Sequence, residues 1–537
     1  MMHIKEFFKD THITSFPFIF LESSSNRLEG SFFIGYGFNP DTFISNGLGK
    51  TNVPVALLEK ITDGRFIVRY ENSRGTHIYV DSAGQELLFV YSDRTRWALS
   101  NSFLALALYA SRKGWSLTLS APLMASFFMR GSFWDQPISH QTAFHEIRLI
   151  DHRKKVLIDN NHQLRITQRA ESYQTPSSWE FIEHWRNVIK TVATHIAPDI
   201  YIELSGGLDS RVAFALSHSS APNLSVISNR KKKIDYAIAS TIANIYKTPI
   251  THHSHLLRNA IEPDLSWKLW LLGNAGIQLG DRKRPPGQMP SPTARVAGGG
   301  GEVARIFYHS SPSSLLRKVE KFFPFPHIQD AVVSKLASTF ENENIHLNKH
   351  TDLIRHYINY RNRYFSGRAW YKSLFGFQLT PFQTGTFHSL SYKLTDDDVK
   401  QAMLHFRLLN QTAPALLYFV FDDIHKSWPN NLLVTQADKN MRPDTLKRST
   451  TCLDFHLASN NKGNQDRNSS ESPESKSSLS SASDLITFRE LQLIFESKTT
   501  SGWQEQLALG QLDEREKFCL INSSILLQLC TKISWYD

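Results

Sequence analysis

The chain has 537 residues, 41% hydrophobic and 20% charged, with a formal net charge of +10. Its 35 Phe, 17 Tyr and 11 Trp exclude an unfolded chain, and only three cysteines, Cys452, Cys519 and Cys530, exclude a disulfide scaffold and suit a reducing compartment. The longest apolar run, Ala413 to Phe421, is broken by Pro414 and falls short of the roughly 20 residues a membrane span needs.

At about 150 residues per domain, this length makes two to four domains. The opening MMHIKEFFKD carries charges where a signal peptide has its apolar core, so the expected location is the cytoplasm. The positive balance favours anionic partners without choosing among nucleotide, nucleic acid and acidic sugar.

Residues 1–172 read as a β-rich domain. GSFFIGYGF (30–38), GRFIVRYEN (64–72), THIYVD (76–81), ELLFVYSD (86–93) and KVLIDNNHQLRITQ (155–168) are rich in aromatic and β-branched residues, with helices expected around Ser102–Arg112 and Leu123–Phe128. The pattern then changes. Phe181, Trp185, Val188, Ile189, Val192 and Ile196 recur at helical spacing over 178–196. A strand at 199–204, a helix at 211–218, a strand at 224–228, a helix at 235–246 and a strand near 249–251 follow. That alternation predicts a parallel-sheet α/β domain over 173–458. Between Ser469 and Ser483 nine of fifteen residues are serine, so 459–485 reads as a flexible insertion with nothing to bury. Residues 486–537 regain helical spacing at Phe488–Phe495 and Cys519–Leu529, and are expected to pack back on the second domain.

The segment YIELSGGLDSR, 201–211, carries the chemistry. An apolar strand runs into Ser205-Gly206-Gly207-Leu208-Asp209-Ser210, and a helix follows at once. Glycines let the backbone approach a pyrophosphate, the helix N-terminus offers free N–H groups, the serines add hydroxyl donors, and Asp209 can hold Mg²⁺ on the phosphate oxygens. No Lys follows, so this is not the GxxxxGK[ST] loop of kinases and GTPases.

SGGLDS resembles the pyrophosphate loop of the N-type ATP pyrophosphatases, and most nearly that of the asparagine synthetase-like group. Further similarity lies in 229–253, with Asp235 and His252-His253 at matching places, in VAGGGGEVARIFYH (296–309), which is similar to the group's second glycine-rich motif, and in 142–159, similar to its interdomain segment. YRNRYFSGR (360–368) resembles members found in bacterial surface-polysaccharide gene sets. The resemblance spans roughly residues 60–450. It implies an Ntn-hydrolase-like α+β sandwich followed by a HUP-type, adenine nucleotide α-hydrolase-like synthetase domain. ATP and Mg²⁺ would bind at Ser205, Gly206, Gly207, Leu208, Asp209 and Ser210, with Ser228 contacting adenine through its backbone. Gly298 and Gly300 would complete the nucleotide site, and Asp209 and Glu302 would be its catalytic and metal-binding carboxylates.

Two departures qualify this. A working glutaminase domain of that group uses an N-terminal cysteine, whereas this sequence opens Met1-Met2-His3 and has no cysteine before Cys452. The implied nitrogen source is therefore ammonia or an amine. Gly299 also stands where the group has an acidic residue beside the attacking amine. The expected function is a carbon–nitrogen ligase that adenylates a small-molecule or saccharide carboxylate and passes it to that amine, with a homodimer left open. Two alternatives stand: a degenerate homologue that binds nucleotide or a partner, and a tRNA-modifying pyrophosphatase. The loop's late position and the lack of CxxC count against the latter, and with it against nucleic acid.

Four smaller features are open. Arg230–Lys233 and Arg282-Lys283-Arg284 could guide anions or be solvated faces. Arg361 and Arg363 could grip a carboxylate or phosphate, or form internal ion pairs. His252-His253 has no second cluster at zinc-ligand spacing.

Overall fold

The computed structural model describes residues 4–9, 21–23, 30–46, 51–169, 175–251, 257–277, 288–290, 293–323, 325–371, 376–423, 426–429, 451–456 and 514–534. The Ser-rich 459–485, Phe488–Phe495, His252-His253 and Arg282-Lys283-Arg284 lie outside the described residues.

The first region holds two antiparallel sheets. Strands Leu164–Gln168, Lys154–Ile158, Gly75–Val80, Asp63–Asn72, Phe32–Phe38 and Thr42–Asn46 lie side by side in that order, and Thr451–His456 adds a parallel edge strand. A second sheet runs Leu21–Glu22, Trp97–Ser100, Phe89–Ser92, Ile147–Leu149. Period-two alternation decides the layering. Ile67, Ile78, Val80 and Val156 face Val90, Trp97 and Leu99 of the second sheet. Phe66, Val68 and Tyr79 point the other way, under Val53, Leu58 and Ile61. The helix Phe103–Arg112, capped by Ser102, is apolar almost all round and fully buried over most of its length.

Sequence and structure differ in detail here. KVLIDNNHQLRITQ is a hairpin of two strands, since Asp159 turns the chain by accepting from Asn161 N and Gln163 N at 2.9 and 3.0 Å. ELLFVYSD pairs only from Phe89, because Glu86 is used otherwise: its carboxylate binds Arg65 Nε at 2.6 Å.

The helix Ser178–His195 leads into the second region. A capping box of Ser177 and Glu180 starts it, and Phe181, Trp185, Val188, Ile189 and Val192 form its buried face. Then come β1 (Asp199–Glu203), α1 (Leu208–His218), β2 (Asn223–Ile227), α2 (Lys233–Ile245), β3 (Ile250–Thr251), β4 (Ala294–Val296) and β5 (Phe377–Leu379). All pairings are parallel, in the order β3-β2-β1-β4-β5. The order reverses at β1, so the crevice beyond the carboxyl ends of β1 and β4 is a topological switch point, where open α/β sheets bind ligands.

The two regions are joined through buried polar contacts. Tyr36 Oη donates to Gln378 O at 2.8 Å, and Gln85 Nε2 donates to Gln383 O at 2.6 Å. Gly385 N donates to Asp63 Oδ1 at 2.9 Å. The C-terminal helix Glu514–Leu529 sits between the regions and not on the second alone. Arg515 binds Phe127 O and Asp135 in the first, while Asn522 accepts from Gly276 N in the second. Among the described residues no helix is long and apolar enough to cross a membrane.

Candidate active site

The switch point is where the loop Ser205–Gly207 meets Gly298–Gly301. The helix starts earlier than its apolar spacing suggests, at Leu208, because Gly207 is already its N-cap and has no side chain to cap the first turn. Ser205 and Ser210 tie the loop: their hydroxyls lie 3.0 Å apart, Ser205 N donates to Ser210 Oγ at 3.1 Å, and Gly207 N to Ser205 Oγ at 3.1 Å. Gly206 N donates to Asp235 Oδ1 at 3.0 Å, so this amide already faces an anionic oxygen.

Gly298 runs directly against the loop. A Cβ there would lie 2.7 Å from Ser210 N, so any side chain would push the two loops apart. Gly300 has φ +92°, the left-handed region, and donates its N–H to Glu302 Oε2 at 3.1 Å. Beside Gly299 lies the Gln383 amide. Ser228 follows β2; its hydroxyl is buried and has no partner among the described residues. An orphaned buried hydroxyl, an uncapped helix start and a cradle that a Cβ would fill are what a bound nucleotide would complete.

Asp209 and Glu302 are brought together, but a guanidinium stands between them. Arg305 forks Asp209, Nη2 to Oδ2 at 2.7 Å and Nε to Oδ1 at 3.2 Å, and its Nη2 is 3.5 Å from Glu302 Oε1. On the other side His405 Nε2 lies 2.8 Å from Asp209 Oδ1. Glu302 also accepts from Tyr357 Oη at 3.0 Å. Burial pushes the Asp209 carboxyl up, but Arg305 and His405 outweigh it and hold it well below the carboxylate range. Glu302 goes the other way, raised by burial and then by Asp209. Two neighbouring carboxylates are thus driven apart in acidity by unequal shares of one cation.

This arrangement does not fit the expected resident Mg²⁺. Each carboxylate is already engaged, the charge between them comes from Arg305, and among the described residues no three His, Cys, Asp or Glu gather as ligands.

Sequence reasoning also missed Arg211, which is fully buried. Its guanidinium donates to Phe419 O at 2.9 Å, to Val420 O and to Gly206 O at 3.4 Å, and lies 3.7 Å from the Phe421 ring centre. It pins 414–422 over the loop, where Asp422 N donates to Gly206 O at 3.2 Å. Arg305 sits three residues after Glu302, a spacing that could have flagged the pair. For His405, on the helix Met403–Thr412, no local signal exists.

Arg361 and Arg363 take no part in the site, whereas Lys232 Nζ lies 3.7 Å from Asp235, the carboxylate that accepts from Gly206 N. Arg363 is fully buried and donates to Ile150 O at 2.8 Å, and Arg361 donates to Gln136 Oε1 at 2.8 Å, so both join the two regions. Arg230, Lys231, Lys232 and Lys233 are exposed. Cys519 is buried, its thiol pushed up to about 12 by that burial. The chain matches no family model and no curated protein sequence.

Proposed function

We propose that the chain is an ATP-dependent carbon–nitrogen ligase of the asparagine synthetase-like kind, built from an Ntn-hydrolase-like sandwich and a HUP-type nucleotide domain and acting in the cytoplasm. The observation that supports this most is the placing of Ser205–Ser210 at the switch point, in backbone contact with Gly298. ATP would lie with its phosphates on the N-terminus of α1 and its base toward Ser228. A substrate carboxylate oxygen attacks the α-phosphorus, the bond to pyrophosphate breaks, and an acyl-adenylate forms. An amine nitrogen then attacks the acyl carbon, loses a proton, and displaces AMP.

The chain's own residues supply alignment and charge. Ser205 and Ser210 hydroxyls and the first-turn amides hold phosphate oxygens, and Arg305, kept cationic by Asp209, offsets the charge that grows on the leaving pyrophosphate. The carboxylate in this reading is that of a small molecule or a saccharide.

A second reading, a nucleotide-binding homologue without turnover, is favoured by one observation: Asp235 occupies Gly206 N, and Arg305 closes Asp209. Incubating the protein with α-labelled ATP and a metabolite extract separates the two. AMP and pyrophosphate formed by wild type and not by Asp209→Ala support the ligase; ATP binding without AMP supports the second reading.

A further inference from the structure

The carboxylate pair at the phosphate loop has every oxygen engaged by the chain. Asp209 Oδ2 takes Arg305 Nη2 at 2.7 Å; Oδ1 takes Arg305 Nε at 3.2 Å and has His405 Nε2 2.8 Å away. Glu302 Oε2 accepts from Gly300 N at 3.1 Å and from Tyr357 Oη at 3.0 Å, and Oε1 lies 3.5 Å from Arg305 Nη2. Gly301 closes a further side, where a Cβ would collide with Asp209 Oδ1. Magnesium asks for near-octahedral oxygen ligands at about 2.0–2.1 Å, so to bind these carboxylates it would first have to displace the guanidinium. What stays open is on Arg305 itself. Its side chain is 26% exposed, and among the described residues no acceptor takes Nη1.

Resting on the reading of this loop as a nucleotide site, we propose that the chain binds its nucleotide as the metal-free polyphosphate, with Arg305 as the built-in cation where a divalent ion was expected. A divalent ion at such a site does two things: it ties the protein's carboxylates to the phosphate, and it removes the repulsion between them. By forking Asp209, Arg305 cancels the negative charge that would otherwise meet the phosphate, and its planar head pairs with phosphate oxygens as it does with carboxylates. Arg211 adds a cation beneath the loop. Fully buried, it donates to carbonyl oxygens alone among the described residues, so no carboxylate cancels its charge in direct contact. Burial lowers its guanidinium only to about 10, which keeps it charged near neutral pH. A magnesium ion carried in on the nucleotide would meet two guanidinium groups and no free carboxylate oxygen.

The test is calorimetry on the full chain with ATP, once in EDTA and once in excess Mg²⁺. ATP should bind in EDTA at least as tightly as with Mg²⁺. Arg305→Ala should weaken binding in EDTA about tenfold or more, the scale of one charge-assisted phosphate contact, and added Mg²⁺ should restore it. Water-proton relaxation with sub-millimolar Mn²⁺ and no nucleotide gives a second readout: wild type should hold no ion, and Arg305→Ala should hold one on the freed carboxylates. If that variant does not fold, the two wild-type measurements decide. ATP binding that requires Mg²⁺, a Mn²⁺ ion held by nucleotide-free wild type, an unchanged ATP affinity in Arg305→Ala, or no ATP binding in either buffer would overturn the proposal. Metal-free ATP binding with no AMP from any acceptor pool sinks the ligase reading and leaves this inference standing; Mg²⁺-dependent ATP binding with AMP formed sinks this inference alone.

Discussion

Two aspartates, one in each region, show how the same side chain is put to different ends. Asp81 ends a strand of the antiparallel region and is fully buried; Gln85 N and Glu86 N donate to its two oxygens at 2.8 and 2.9 Å. Its partners are amides of its own turn, which carry no net charge, so burial prevails and raises its carboxyl to about 7. Asp209 is largely buried too, but its partners are Arg305 and His405, far away in sequence, and they hold it ionised. A carboxylate satisfied by its own backbone makes a structural turn. One satisfied by side chains from other elements makes a charge cluster that exists only once those elements pack together.

The comparison breaks if the two positions respond alike to substitution. Asp209→Ala should lower AMP formation about a hundredfold or more, the usual scale for losing a charge-organising group, while Asp81→Asn should leave it within about twofold. Labelled-ATP turnover reads both, and comparable losses would remove Asp209's special standing. Next in size is Arg305→Ala, which leaves two adjacent carboxylates without their cation. It should cost about 3 kcal/mol in urea denaturation, and millimolar Mg²⁺ should restore part of that by taking the guanidinium's place. No response to the cation would mean that Asp209 and Glu302 are not held as a pair.

The pH dependence sharpens the contrast, because the two signs are opposite. Asp81's carboxyl is raised in the folded chain, so the unfolded chain loses its proton first. Stability from this group is highest below about 4 and falls as pH rises to about 7. Asp209's is depressed, so its stabilising share is full above about 4 and is lost as pH falls through its lowered folded value. The urea midpoint of wild type relative to Asp81→Asn should therefore fall as pH rises from 4 to 8, whatever the buried histidines add to both. The smallest effect belongs to the exposed basic run: Arg230→Ala and Lys231→Ala should each change stability by no more than about 0.5 kcal/mol.

Elements β1, α1, β2 and α2 were legible because each has its own local period, two for strands and 3.6 for helices, and is long enough to show it, whereas the two residues of β3 followed from their place in that alternation. Strands β4 and β5 were not legible, since three residues, Ala294–Val296 and Phe377–Leu379, carry no period. Yet β4 creates the switch point. Of the site, the loop residues could be read from the glycine–serine order, and Gly298 from its motif. The departure lay in the charges: Asp209 and Glu302 read as metal ligands because Arg305, although three residues after Glu302, gives no sign along the chain that it also reaches Asp209.

By itself, then, the sequence determined the local make-up of this protein: a glycine- and serine-rich strand-to-helix turn, a second glycine loop, two carboxylates and no early cysteine. Only the tertiary structure decided what those carboxylates face. Arg305 and His405 reach Asp209 because β4 lies beside β1 and the helix Met403–Thr412 packs against α1, and such pairings depend on sheet order and packing, which leave no periodic trace along the chain.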